Sequence, residues 1–137
     1  MTTPENSPPR ILVVIGTRPE AIKMAPVVAA LRQKPGLDSR LLLTGQHDDL
    51  VDQVLDALNL RPDYDLGIMQ EGQSLYDVAQ GCLTGLAGVV AGYRPDLLLA
   101  QGDTATVFFS SLAAFFEKTR VGHVEAGLRS GDKWAPF

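Results

Sequence analysis

Much is absent from this chain, and each absence removes a class of function. Its 137 residues hold one cysteine, Cys82. No internal disulfide is therefore available, and a reducing compartment, the cytoplasm, fits. No uninterrupted apolar stretch is long enough to cross a bilayer. Met1 to Arg10 carries three prolines and mixed charge but no apolar core, so it reads as a disordered tail rather than a signal peptide. Twelve Lys and Arg stand against 16 Asp and Glu, a net charge of −4. That balance argues against nucleic acid and anionic membranes as partners of the whole surface, while leaving room for a local basic pocket. There is no G-x-G-x-x-G fingerprint, Walker loop or G-x-S-x-G elbow, so a dinucleotide cofactor and the commoner phosphate and acyl-transfer motifs are not supported. His47 and His123 have no metal-ligand partner at useful spacing. They read as a polar loop residue and a satisfied strand residue respectively.

What is present is one domain's length with a real core: 45% of residues are hydrophobic and 20% charged. The apolar run Ile11 to Ile15 ends in Gly16 and leads into a helical pattern from Ala21 to Gln33. Pro26 lies inside that pattern and predicts a kink or a second start. Leu41 to Leu43 predicts a second strand and Tyr64 to Leu66 a short third. Between them Leu50, Val51, Val54, Leu55 and Leu58 form a helical stripe behind Asp48 and Asp49. Ser74 and Asp77 have capping-box spacing ahead of a long stripe that contains Cys82, a buried small hydrophobe on this pattern. Leu97 to Ala100, a helix over Thr106 to Lys118 and a strand Val121 to Val124 complete the series. Alternation of short apolar strands with helices predicts a doubly wound, mainly parallel five-stranded Rossmann-like sheet over residues 11–137. Strand order 3-2-1-4-5 is the choice by analogy with half a Rossmann unit. The last helix carries Phe108, Phe109, Leu112, Phe115 and Phe116 on more than one stripe. It reads as a core helix buried on most sides, or as a face for a second subunit or a further domain.

Open sheets of this kind bind ligands beyond the carboxyl ends of their strands, so the residues after each strand are the candidates. Thr17 and Glu20 have capping-box spacing at the first helix start, and Arg18 stands there with them. Free amides, the positive end of the helix dipole and a guanidinium suit a phosphate or diphosphate. The alternative is a surface arginine. Lys23, one turn on, points at the ligand or at solvent. Gln46 and His47 follow the second strand. Asp103 follows the fourth and either caps the next helix or takes part in chemistry. Glu125 follows the fifth and either pairs structurally with Arg129 or joins Asp103. One cation and two carboxylates on a common rim suit an anionic ligand undergoing proton transfer.

Four strings sharpen this: GTRPEAIKMAP (Gly16 to Pro26), TGQH (Thr44 to His47), QGDT (Gln101 to Thr104) and GHVEAGLRSGD (Gly122 to Asp132). Through them the chain, from about Ile11 onward, resembles the non-hydrolysing UDP-N-acetylglucosamine 2-epimerases. The resemblance implies two Rossmann-like domains of glycosyltransferase-B type with the site between them. It implies interconversion of UDP-N-acetylglucosamine and UDP-N-acetylmannosamine by elimination and re-addition of UDP, without metal or redox cofactor, in a homodimeric parent enzyme of cell-surface polysaccharide biosynthesis. It places Arg18 and Lys23 on the substrate, Asp103 and Glu125 on active-site acids, and Gln46 and His47 near a regulatory UDP-N-acetylglucosamine site. The chain departs from the family's threonine-rich pattern at Ala105-Thr106-Val107. The family's Pro-Glu-Glu segment and second domain do not follow Phe137, so the chain is expected to represent the first third of such an enzyme and to be inactive alone. A hydrolysing epimerase and a glycosyltransferase-type nucleotide-sugar-binding domain are the alternatives. A response-regulator receiver is excluded, because Gly16-Thr17-Arg18 occupies the place of its acidic pair.

Overall fold

A computed structural model describes residues 7–45, 49–68, 70–127 and 129–135. Strand and helix alternate throughout: β1 (Arg10–Ile15), α1 (Arg18–Gln33), β2 (Asp38–Leu43), α2 (Asp49–Ala57), β3 (Tyr64–Asp65), α3 (Leu75–Tyr93), β4 (Leu97–Gln101), α4 (Ala105–Phe116) and β5 (Arg120–Val124). The strands form one sheet in the order β3-β2-β1-β4-β5, every pair parallel, as the alternation implied. β1 lies at the centre with Val13 opposite Leu41 on one side and Leu99 on the other. A parallel strand covered on both faces must be apolar at every position. Leu12, Val13, Val14 and Ile15 are accordingly all buried. Their side chains alternate between faces: Leu12 and Val14 pack with α3 and α4, Val13 and Ile15 with α1 and α2.

The structure departs from expectation in several places. β1 opens at Arg10, inside the stretch expected to be a tail. The Arg10 amide donates to Asp96 Oδ2 at 2.8 Å, and the Asp38 amide to Pro9 O at 2.9 Å. Residues 1–6 of that stretch lie outside the described residues. α1 runs through Pro26 with no second start. The proline is exposed, while Met24, Ala25 and Val28 anchor the opposite side in the core. Leu50 and Leu58, placed on a buried stripe by periodicity, are exposed. α4 is not a helix buried on most sides. Its small side chains Ser110, Ala113 and Ala114 go inward, whereas Phe108, Phe115 and Phe116 are 64%, 74% and 62% exposed. Cys82 is buried as the pattern implied, and burial pushes its thiol up to about 11. Among the described residues no helix is long and apolar enough to cross a membrane.

Three turns meet with no free space at the carboxyl edge of the sheet. The Thr44 and Thr106 hydroxyls, both buried, hydrogen-bond at 2.8 Å and tie the end of β2 to α4. Gly16 lies against them: a Cβ there would come within 2.1 Å of Thr106 Oγ1 and 2.9 Å of Thr44 Oγ1. Gly45 in turn abuts the Gly16 carbonyl, 2.3 Å from where its own Cβ would stand. Gly16→Ala is expected to destabilise the chain by about 1–3 kcal/mol through overpacking. The urea midpoint measured by circular dichroism checks this, and a midpoint equal to that of the unaltered chain would contradict the close approach.

Candidate functional site

β1, β4 and β5 each release the chain into a polar turn at this edge, and these turns surround a cleft of about 540 Å³. Lys23, Asp103 and Glu125 line it together. Arg18, the first residue of α1, stands on the same rim and is exposed, though it does not line the cleft wall itself. Gln46 and His47 lie outside the described residues.

The start of α1 is built as its sequence suggested, and the start of α4 is not. At α1 the capping box of Thr17 and Glu20 is present. Its stronger half is Glu20, whose Oε2 accepts the amides of Gly16 at 2.5 Å and Thr17 at 2.7 Å. At α4 the capping residue is Thr104, whose hydroxyl accepts the Val107 amide. Asp103 therefore has no capping duty there. It is exposed and faces the cleft, with Gly102 at φ +88° turning the chain just before it.

Glu125 has a long-range partner rather than the neighbouring Arg129. Lys23 Nζ approaches its Oε2 at 2.5 Å, and Gln101 Nε2 donates to the same oxygen at 2.5 Å. These bonds, Lys23's first, hold the Glu125 carboxyl below the usual carboxylate range. The residue itself adopts φ +60°, an uncommon backbone conformation for a side chain of this size and one that recurs at functional turns. Arg129 Nη1 donates instead to the Ala126 carbonyl.

His123 corrects a second expectation. It is exposed rather than a core residue, and it lines the cleft. Its Nε2 lies 2.5 Å from the Gly102 carbonyl, so that nitrogen carries the proton and donates. Three participants were missed from sequence: Glu20 beyond its capping role, Gln101 and His123. Only Gln101, at the end of an apolar strand, carried a local signal. Among the described residues no group of three His, Cys, Asp or Glu is placed to hold a metal ion. The cleft thus offers an ionised carboxylate beside an ammonium, a second carboxylate on the rim, and the start of a capped helix bearing an arginine. Those are the parts needed to hold an anion and move a proton next to it.

Comparison with known proteins agrees on one family. The family model described as UDP-N-acetylglucosamine 2-epimerase matches residues 29–137. The chain is 49% identical over 128 residues to the UDP-N-acetylglucosamine 2-epimerase of Bacillus subtilis, an alignment covering 93% of this chain and 34% of the relative. Among solved structures, the UDP-GlcNAc 2-epimerase of Neisseria meningitidis bound to UDP-GlcNAc superposes with a TM-score of 0.88 at 44% identity, covering 93% of this chain and 34% of that one. The Methanocaldococcus jannaschii enzyme in complex with UDP-GlcNAc and UDP gives 0.84 at 35% identity, over 93% and 35%. The chain spans about a third of the length of these relatives. A sheet of this order, a cleft at its carboxyl edge and a family match over most of the sequence lead to one conclusion: the chain belongs to the UDP-N-acetylglucosamine 2-epimerase family.

Proposed function

We propose that this chain forms one wall of the active site of an enzyme that interconverts UDP-N-acetylglucosamine and UDP-N-acetylmannosamine without a cofactor. The observation that carries the reading is the convergence of Lys23, Asp103 and Glu125 in one cleft beside the Arg18-bearing start of α1. The hydrogen at carbon 2 of the sugar is weakly acidic. Elimination takes that proton and breaks the bond from carbon 1 to the diphosphate oxygen, giving a glycal and free UDP. Re-addition closes the same bond and returns a proton to the opposite face of carbon 2. A base and an acid are needed, together with positive charge on the departing diphosphate.

Arg18, through its guanidinium and its own backbone amide at the start of α1, takes the diphosphate, joined by Lys23. Asp103 and Glu125 supply the proton transfers. Glu125 is kept ionised by Lys23 and Gln101 while the cleft is empty. A diphosphate competing for Lys23 removes its chief cation and raises its proton affinity at the moment substrate arrives. Gln46 and His47 are assigned to a regulatory nucleotide-sugar site. The cytoplasm, which keeps a thiol such as Cys82 reduced, is the compartment that fits. The exposed phenylalanines of α4 form the face on which a second copy would pack: like faces related by a two-fold axis give a homodimer.

Four measurements test this. NMR titration of the chain with UDP is expected to show weak binding, about millimolar, with Arg18→Ala weakening it about tenfold as a charged hydrogen bond is lost and Asp103→Asn leaving it intact. The chain alone is expected not to convert UDP-N-acetylglucosamine to the mannosamine isomer, because a one-walled cleft leaves Asp103 and Glu125 open to water; sustained turnover would contradict it. In a carboxyl-carbon NMR titration, Glu125 should titrate below the ordinary glutamate range and return to it in Lys23→Ala. Its folded value is depressed, so its contribution to stability is present at neutral pH and fades as pH falls from the ordinary range through that lower value. Finally, sedimentation should show concentration-dependent dimers that Phe115→Glu abolishes; a monomer at all concentrations would count against the α4 interface.

A further inference from the structure

Two capping boxes in this molecule have the same residue spacing and different construction. In α3, Asp77 is exposed, and its carboxylate turns back to Ser74, accepting from the amide at 2.9 Å and from the hydroxyl at 2.7 Å. That box serves its own helix. In α1, Glu20 is 2% exposed, and it spends only one oxygen on its own turn. The other, Oε1, accepts the hydroxyl proton of Thr104, a residue 84 positions away that caps α4. The Thr104 hydroxyl has a single proton, given to Glu20, and its lone pair receives the Val107 amide. A continuous set of hydrogen bonds therefore runs from the Gly16 and Thr17 amides through Glu20 and Thr104 to the first turn of α4. The caps of two helices on opposite faces of the sheet are one network.

We propose that Glu20 is a positioning residue whose buried carboxylate locks the turn carrying Arg18 to the turn carrying Asp103. A local cap would leave those turns joined by packing alone, since α1 and α4 diverge from neighbouring strands toward different layers. The lock sets the distance between the cation that receives the diphosphate and the carboxylate that serves proton transfer; in this respect it rests on the site reading proposed above. The Thr44–Thr106 bond at 2.8 Å ties the second turn to the same helix from below, so the lock closes a frame rather than bridging two loose loops.

Thr104→Val removes the hydroxyl at nearly constant shape, Thr104→Ser keeps it, and Asp77→Asn disturbs a capping box with no long-range bond. Amide hydrogen exchange is measured on each labelled chain at Gly16, Thr17 and Val107, beside a UDP titration. Thr104→Val is expected to raise exchange at Gly16 and Thr17 by about tenfold along with that at Val107, since both turns then open without the bond that held them together. The same variant should weaken UDP binding about fivefold, and in an Arg18→Ala background that further loss should disappear because the coupled contact is already gone. Thr104→Ser should restore both, and Asp77→Asn should change neither. Exchange at Gly16 and Thr17 unchanged in Thr104→Val would overturn the lock. Faster exchange with unchanged UDP affinity would make Glu20 structural only, which also overturns the proposal. Absence of UDP binding by the unaltered chain would instead sink the site reading, and the exchange data then uphold or overturn the lock between the turns on their own.

Discussion

At the centre of this sheet the strand order reverses, and α1 and α4, leaving the neighbouring strands β1 and β4, must go to opposite faces. That divergence is the constraint on which the rest depends. It opens the crevice at the carboxyl edge, and it directs two capped helix starts toward the same space. The two turns are in packing contact, and Glu20 adds the hydrogen bond that fixes their spacing. A carboxylate with so little contact with water is tolerated only when its oxygens are hydrogen-bonded, and here both are. Leaving a buried acceptor without its donor typically costs about 1–3 kcal/mol, and more when it is charged, and the donor here is held in place by its own role as a helix cap.

The rim above this floor is built by the opposite rule. Lys23 and Glu125 keep 49% and 38% of their side-chain surface exposed, so their pairing is screened and exchangeable. A floor of buried, saturated bonds keeps the turns in place. A rim of exposed charges can re-pair with an incoming anion without disturbing that floor. The left-handed backbone at Glu125 and the His123 bond to the Gly102 carbonyl aim the acids from β5 and β4 inward without drawing on the charged pair.

The layered fold was legible because parallel strands buried on both faces need unbroken apolar runs, and β1, β2 and β4 have them in plain view. Gly16 and the Ser74 box marked element boundaries. Periodicity failed where an element has one covered side only. α4 has the composition of a core helix, yet its outward stripe is aromatic and its inward one small, because close approach to α3 and the sheet selects serine and alanine there. Pro26 misled for a similar reason: the cost of a proline depends on which side of the helix it occupies, and this one faces water.

The site was legible as a rim and not as a set of partnerships. Topology alone brings Lys23, Asp103 and Glu125 to one edge, and the family strings mark the same residues. Which groups touch is set by side-chain reach across the switch point, so Glu125 meets Lys23, 102 positions away, and not Arg129, 4 positions on. Glu20 shows how more could have been extracted. A capping box employs one carboxylate oxygen. With strand order 3-2-1-4-5, the start of α1 must be covered by the turn after β4, which removes water from the second oxygen. A buried carboxylate oxygen requires a donor, and within that turn Thr104 is the hydroxyl that also begins a helix. The bond between residues 20 and 104 follows from counting acceptors once the topology is granted, with no further information from the family.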